Sequence, residues 1–280
     1  RIGHLSTGCI DLLRLASVIG HEFELEAVAR LEERPARELL DLVEEAVRAR
    51  ALTEIPNTTG RLRFAHALIR DTLYDAIPAS RRVAIHHRAG DVLEGLYGIE
   101  REAHLAELAH HFFLAIPDAD PARAVDYARR AGDVAAARLA FEEAARLFGV
   151  ALQALKLVET RDEDLRCELL LGIGDAQARS GDTPGARETF FAAAGLANRL
   201  GRPEEMARAA IGYGGRFIWM RPGKDRRLVP LLEDALQALG DQRSPWRVRV
   251  LARLACALLD PHDPERSDPL SALAVEIARA

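Results

Sequence analysis

His66 and Arg70 stand one helical turn apart in the segment RLRFAHALIRDTLYDAIPASRR, residues 61–82. A short apolar alternation, Leu62 and Phe64, runs into the histidine, and a helical pattern follows it. A histidine at a strand-to-helix junction can aim a ring nitrogen outward beside the unpaired N–H groups of the helix start, which attract anions. Arg70, at i+4, adds a fixed positive charge on the same face. The chemistry open to this pair is anion binding. The alternative is structural: His66 satisfies local backbone groups and pins the strand to the helix.

Other residue sets are weaker candidates. His86, His87, His104, His110 and His111 invite a metal reading, but adjacent helical histidines point in different directions and no nearby acid or cysteine pattern completes a site. Packing at a boundary between two helices is the better account. Tyr213, Phe217, Trp219 and Trp246 can line a groove that anchors a partner, or they can be core aromatics at helical spacing. Asp162, Glu163 and Asp164 fit the charged start of a helix. No Ser-His-Asp or Cys-His arrangement stands out. A phosphate-cradling loop needs glycines and a lysine followed by a hydroxyl residue, and RPGKDRR (221–227) lacks the upstream glycine and the hydroxyl. No ATP hydrolysis by this chain is expected.

The elements that must position His66 come from the first eighty residues. Cys9, Leu12, Leu13, Ala16 and Ile19 recur at helical spacing before Gly20. Leu25, Val28, Ala29 and Leu31 predict a second helix. Pro35 suits the first turn of a third, whose buried stripe is Leu39, Leu42, Val43, Ala46 and Val47. The period then changes to strand, turn, strand, with Asn57 and Gly60 closing a hairpin. Three helices and a hairpin make a winged helix. Its third helix carries Glu38, Asp41, Glu44 and Glu45 against Arg37, Arg48 and Arg50, a poor surface for phosphate backbones, so direct DNA binding is not expected.

Composition sets the bounds. The 280 residues are 49% hydrophobic and 29% charged, a globular balance, and the sparse aromatics (5%) with abundant Ala, Leu, Glu and Arg favour helices. A net charge of −5 argues against large-scale phosphate neutralisation. Cys9, Cys167 and Cys256 are too far apart for a disulfide framework or a metal spacing, which points to a reducing, cytoplasmic setting. No apolar run has the length of a membrane span.

Beyond residue 118 the chain repeats itself. AGDVAAARLAFEEAARLFGVALQAL and IGDAQARSGDTPGARETFFAAAGLA align without a gap, matching Gly132 to Gly174, Ala144 to Ala186, Phe148 to Phe190 and Ala151 to Ala193, each 42 positions apart. The small residues let helices approach and the phenylalanine fills the gap between hairpins. The order of small residue and aromatic resembles the tetratricopeptide repeat, whose period is roughly 34. Gly181 marks the turn of the second unit, where the first has Leu139. Two looser hairpins follow, up to Ala280.

LLRLASVIGHEFELEAVARL and GRLRFAHALIRDTLYDAIPASRRVAIHHRAGDVLE also resemble the segment that follows the nucleotide-binding domain in signal-transducing ATPases of the STAND class. Large ATP-binding regulators of the LuxR type and ATPase modules beside bacterial adenylate cyclases are the nearest in kind. The resemblance covers roughly residues 1 to 160, and RFAHALIRDTLY is its most specific part. It implies a winged helix that folds back on the chain's own nucleotide-binding domain, with His66, supported by Arg70, touching the phosphates of ADP. Related receptors often follow this histidine with aspartate, where Ala67 stands here. It also implies ATP or ADP as the cofactor of the intact protein and none in this chain.

The expectation is therefore a mainly α chain. A winged-helix domain spans 1–79, linker helices 80–118, and a TPR-like α-solenoid 119–280. The chain reads as part of a longer protein, truncated at its C-terminus. Its role would be regulatory and sensory, with the repeats binding an inducer or partner protein. Two other readings stay open: a DNA-binding activator with a repeat domain, and a stand-alone TPR scaffold.

Overall fold

The computed structural model describes residues 4–215, 226–258 and 265–279. The chain divides into two compact units, Arg1–Tyr127 and Ala128–Ala280.

The first unit opens with α1 (Thr7–Ile19), started by Ser6, whose side chain accepts from the Cys9 amide. Glu45 clamps Ser6 in turn, accepting from its amide at 2.6 Å and its hydroxyl at 2.7 Å. The expected stripe Cys9, Leu12, Leu13, Ala16 and Ile19 is buried. Next come β1 (Glu22–Glu24), α2 (Leu25–Glu32), a 3-10 turn (Ala36–Leu39) after Pro35, and α3 (Leu40–Arg48). Strands β2 (Leu52–Glu54) and β3 (Arg61–Phe64) form a hairpin whose turn holds Asn57 and Gly60 at positive φ. Together the strands make an antiparallel sheet in the order β1-β3-β2, with Phe23 opposite Leu62 and Thr53 opposite Arg63. Strand β1 has no counterpart in the sequence reading. It is three residues long and buries only Phe23, too little for an alternation to show.

Three helices complete this unit: α4 (Ala67–Asp75), α5 (Ala79–Tyr97) and α6 (Leu105–Leu114). Helix α5 packs on both α1 and α2, so the segment set apart as linker helices belongs to the same compact body. A Cβ on Gly90 of α5 would lie 2.6 Å from the Phe112 ring of α6. This is the glycine-under-phenylalanine contact expected only of the later hairpins. Its signal is in the sequence: RAGDV occurs at 88–92 and again at 130–134, 42 positions on.

The division between units falls within α7 (Pro121–Ala137). The second unit continues with α8 (Phe141–Leu155), α9 (Glu163–Ser180), α10 (Thr183–Leu200), α11 (Pro203–Tyr213), α12 (Leu228–Leu239), α13 (Pro245–Ala257) and α14 (Asp268–Arg279). Successive helices pack as hairpins in solenoid fashion, α9 on α8 and α10, α11 on α10 and α12, α13 on α14. The 42-residue offset has a direct packing cause. Phe148 is wedged between Gly132 of α7 and Gly172 of α9, where Cβ atoms would stand 2.6 and 3.2 Å from its ring. Phe190 is wedged in the same way between Gly174 of α9 and Gly212 of α11, at 2.8 and 2.5 Å. Each phenylalanine thus locks its own hairpin to the next. At the turns, Gly181 adopts φ 95° and its repeat equivalent Leu139 is forced to φ 63°.

Candidate functional site

The sequence pairs His66 with Arg70 on one face, and the structure sends them different ways. His66 caps α4 with extended backbone (φ −144°, ψ 139°), and its ring makes no capping bond to the helix. It is exposed, as are Ala67 and Leu68 beside it, so the first turn of α4 faces solvent. Arg70 turns back instead. Its Nε donates to the Ser17 carbonyl at 3.0 Å near the end of α1, its Nη1 meets Asp71 at 3.2 Å, and its guanidinium lies 5.5 Å from the Tyr74 ring centre. Arg70 therefore fastens α4 to α1, and the outward-facing group at the junction is the histidine.

Behind that junction lies a histidine cluster. Tyr74 Oη is 2.9 Å from His86 Nε2, and His86 Nδ1 is 3.0 Å from His111 Nδ1. Both histidines are buried. The His111 Nε2 atom faces the Ile19 backbone without a hydrogen bond of good geometry. Burial, then neighbouring positive groups, hold both rings well below the ordinary imidazole range; His110, Arg70 and Arg82 add to the effect on His86. His104 stacks on Tyr97 with centroids 3.6 Å apart, and His87 approaches Asp91 at 3.7 Å. The arrangement is internal packing between α4, α5 and α6. Among the described residues no group of three histidine, cysteine or acidic side chains could hold a metal ion.

Helix α3 itself is acidic, with Asp41, Glu44 and Glu45 against Arg48; Arg48 pairs with Glu44 at 3.6 Å and Glu45 is committed to Ser6, while in the segment before it Arg34 meets Glu38 at 3.7 Å.

The second unit holds a cavity of about 540 Å³, lined by residues of α7, α8, α9 and α11. One stripe of α9 supplies Glu168, Gly172, Asp175 and Arg179, at the spacing i, i+4, i+7, i+11 that keeps residues on one helix face. From α11 Arg208 reaches Asp175 in an ion pair, and from α8 Phe141 lies under Arg179 with the guanidinium 5.3 Å from the ring centre. Sequence reading missed this stripe, although its spacing is legible once α9 is bounded. The aromatic set chosen for a partner groove lies elsewhere. Tyr213 is 3% exposed and belongs to the core around Phe190. Trp246 is half-buried against that core, with Arg249 5.0 Å from its ring centre. Phe217 and Trp219 fall outside the described residues, as does the RPGKD part of RPGKDRR.

No protein-family model and no curated protein sequence matches the chain. Among solved structures it is similar to a Signal Transduction ATPase with Numerous Domains (STAND) protein with a tetratricopeptide repeat sensor from Pyrococcus horikoshii. The two share 14% identity and a TM-score of 0.42, over 98% of this chain and 45% of that one. The chain thus spans less than half the length of that protein. Among the described residues no helix is long and apolar enough to cross a membrane.

Proposed function

We propose that this chain is the regulatory and sensory part of a STAND-type signalling ATPase, of the kind found in LuxR-type bacterial transcription regulators or beside adenylate cyclases. It performs no chemistry itself. Its first unit acts as a winged helix that closes on the protein's own nucleotide-binding domain. The order α1, β1, α2, α3, β2, β3 with sheet order β1-β3-β2 is consistent with that module. The acidic balance of α3, with Arg48 as its one cation and that paired to Glu44, favours a protein-facing role over a DNA-facing one. The repeats of the second unit receive the inducer or partner protein.

The observation that carries this reading is the outward placement of His66 at the bare N-terminal turn of α4, with no internal bond to occupy its ring. A phosphate of ADP held by the adjoining domain would accept from that ring and from the helix N–H groups. A contact made only in the closed, ADP-bound form stabilises that form alone. The test is ADP retention by the protein that carries this chain together with its nucleotide-binding domain. His66→Ala is expected to speed ADP release by about tenfold to a hundredfold, since one charge-assisted hydrogen bond is worth roughly 1.5–3 kcal/mol. Unchanged retention with a destabilised first unit would instead make His66 a structural pin.

A further inference from the structure

The first unit has a cavity of its own, of about 280 Å³, where α1 meets the turn between α4 and α5. Its floor is apolar. Ile77 and Ile85 are buried with Val18 in a small separate cluster, and Leu15 packs against that cluster while staying partly exposed. Three charges stand on the rim. Asp11 and Arg14 come from the same face of α1 as Leu15, and Arg81 from the same face of α5 as Ile85. Asp11 accepts from Nη1 of Arg14 at 3.1 Å, and the Nε atom of Arg14 is buried without a hydrogen bond. Arg81 is exposed and has no ion pair or hydrogen bond among the described residues. Its neighbour Arg82, by contrast, is spent on Asp75 at 3.5 Å and on the Tyr74 ring, 4.9 Å from its centre. Helix α5 starts at Pro78 with no capping side chain and no acid in its first turn. Its first N–H groups and its dipole therefore add to the field of Arg81.

Charge and size together select the ligand. Two guanidinium groups and one carboxylate leave the rim with a single positive charge, which one anionic group balances. A cation would meet Arg14 and Arg81. At roughly 30 Å³ for each water-sized group, the cavity holds about nine such groups, too few for a nucleoside diphosphate. Inorganic phosphate is small enough, but its second charge would face Asp11 and it would leave the floor of Leu15, Ile77 and Ile85 wet. We propose that this cavity binds a small apolar monocarboxylate. The carboxylate takes two parallel bonds from the planar guanidinium of Arg81, with Arg14 as a second positive charge, and the hydrocarbon body covers the floor. Such a ligand bridges α1 to the start of α5. Its binding depends neither on the phosphate contact of His66 nor on the repeats, so the first unit is a receptor in its own right.

The experiment is a ligand-observed NMR titration of the chain with phenylacetate, its neutral isostere phenylacetamide and the cation phenethylammonium. Phenylacetate should bind about tenfold more tightly than phenylacetamide: an exposed ion pair gives about threefold, and the two-bond geometry and the helix start raise it. Excess inorganic phosphate should not displace it. Ala76 is an exposed residue of the cavity wall, so Ala76→Trp fills the space without touching the core and should abolish binding. Arg81→Glu turns the net charge of the rim negative and should move the preference to phenethylammonium. A reversal of preference cannot come from misfolding. Equal affinity for the acid and the amide, or displacement by phosphate, would overturn the ligand class. Binding that survives Ala76→Trp, or a preference unmoved by Arg81→Glu, would overturn the site. A dimer of the chain that Ala76→Trp dissociates would give the cavity to a second copy and overturn the proposal as well, as would the absence of saturable binding of phenylacetate.

Discussion

The Nδ1 atoms of His86 and His111 face each other at 3.0 Å inside the first unit. A hydrogen bond between two ring nitrogens needs one donor and one bare acceptor, so the pair accommodates one proton between the rings. If Tyr74 donates to His86 Nε2, then His86 Nδ1 carries the proton and donates to His111, whose remaining N–H points at the Ile19 backbone. One chain of bonds thus links α4, α5 and α6.

Acid should undo this chain. In the unfolded state both imidazoles take up protons near their ordinary value of about 6.5. In the folded state burial first, then the neighbouring charges of His110 and Arg70, and for His86 also Arg82, hold them lower. Below that ordinary value the unfolded state therefore binds more protons, and stability falls as the pH drops towards the folded-state values. The slope contributed is about 1.4 kcal/mol per pH unit for each histidine, and it vanishes above the ordinary imidazole range. Hydrogen exchange at α5 and α6 between pH 7.5 and 5 measures it. The double variant His86→Leu with His111→Leu should flatten the dependence; an unaltered slope in that variant would remove the pair as its source.

The turn at Leu139 predicts an easy gain. Its φ of 63° costs a side-chain-bearing residue about 1–2 kcal/mol. Leu139 is 71% exposed, so little core is lost by removing it. Leu139→Gly relieves the strain at an entropy cost of about 0.5–1 kcal/mol, leaving a net stabilisation of up to about 1 kcal/mol. Gly181→Ala, at the equivalent turn, should destabilise by a similar amount. Urea denaturation of the two variants decides; a Leu139→Gly variant weaker than wild type refutes the strain argument.

The glycine–phenylalanine wedges set the third expectation. A methyl group on Gly174 would stand 2.8 Å from the Phe190 ring, which is itself fully buried. Gly174→Ala should cost about 1–3 kcal/mol by overpacking, despite the better helix propensity of alanine. Phe190→Leu alone should cost a comparable amount through lost packing. In the double variant part of the loss should return, giving a favourable coupling of at least about 0.5 kcal/mol in a double-mutant cycle. Strictly additive losses would mean that the ring and the glycine do not constrain each other.

These particulars show where the sequence speaks and where it does not. The 42-residue match of Gly132 with Gly174 and Phe148 with Phe190 is a packing rule written in residue type, so the hairpins are legible. The same rule at Gly90 and Phe112 is harder to see, because the phenylalanine there stands 22 residues after the glycine, against 16 in the later copies. The helices α1 to α3 follow from their apolar stripes, while β1 does not, since a single buried residue makes no period. Helical spacing places His66 and Arg70 on one face, but a long flexible side chain chooses its own partner, and Arg70 chooses the Ser17 carbonyl. The cavity of the second unit is invisible for a related reason. Its charges are ordinary surface residues of α9 until α11 brings Arg208 to Asp175.

The contrast between His66 and Arg70 gives the last prediction. His66 is exposed and its side chain makes no capping bond, so His66→Ala should change the stability of this chain by no more than about 0.5 kcal/mol. Arg70 is only 26% exposed at its side chain and bonds across to the Ser17 carbonyl. Removing it leaves that carbonyl without its charged donor and takes a cation from beside the Tyr74 ring. Arg70→Ala should therefore cost about 1–3 kcal/mol, and Arg70→Lys should recover part of it by restoring a charge but not the planar donor. Chemical denaturation of the three variants checks the order. A His66→Ala loss equal to that of Arg70→Ala would mean that both residues hold α4 in place, and the histidine would no longer be available to a phosphate. The expected order, with His66 nearly silent in the chain alone and decisive for ADP retention beside the nucleotide-binding domain, separates a group kept for a ligand from one used by the fold.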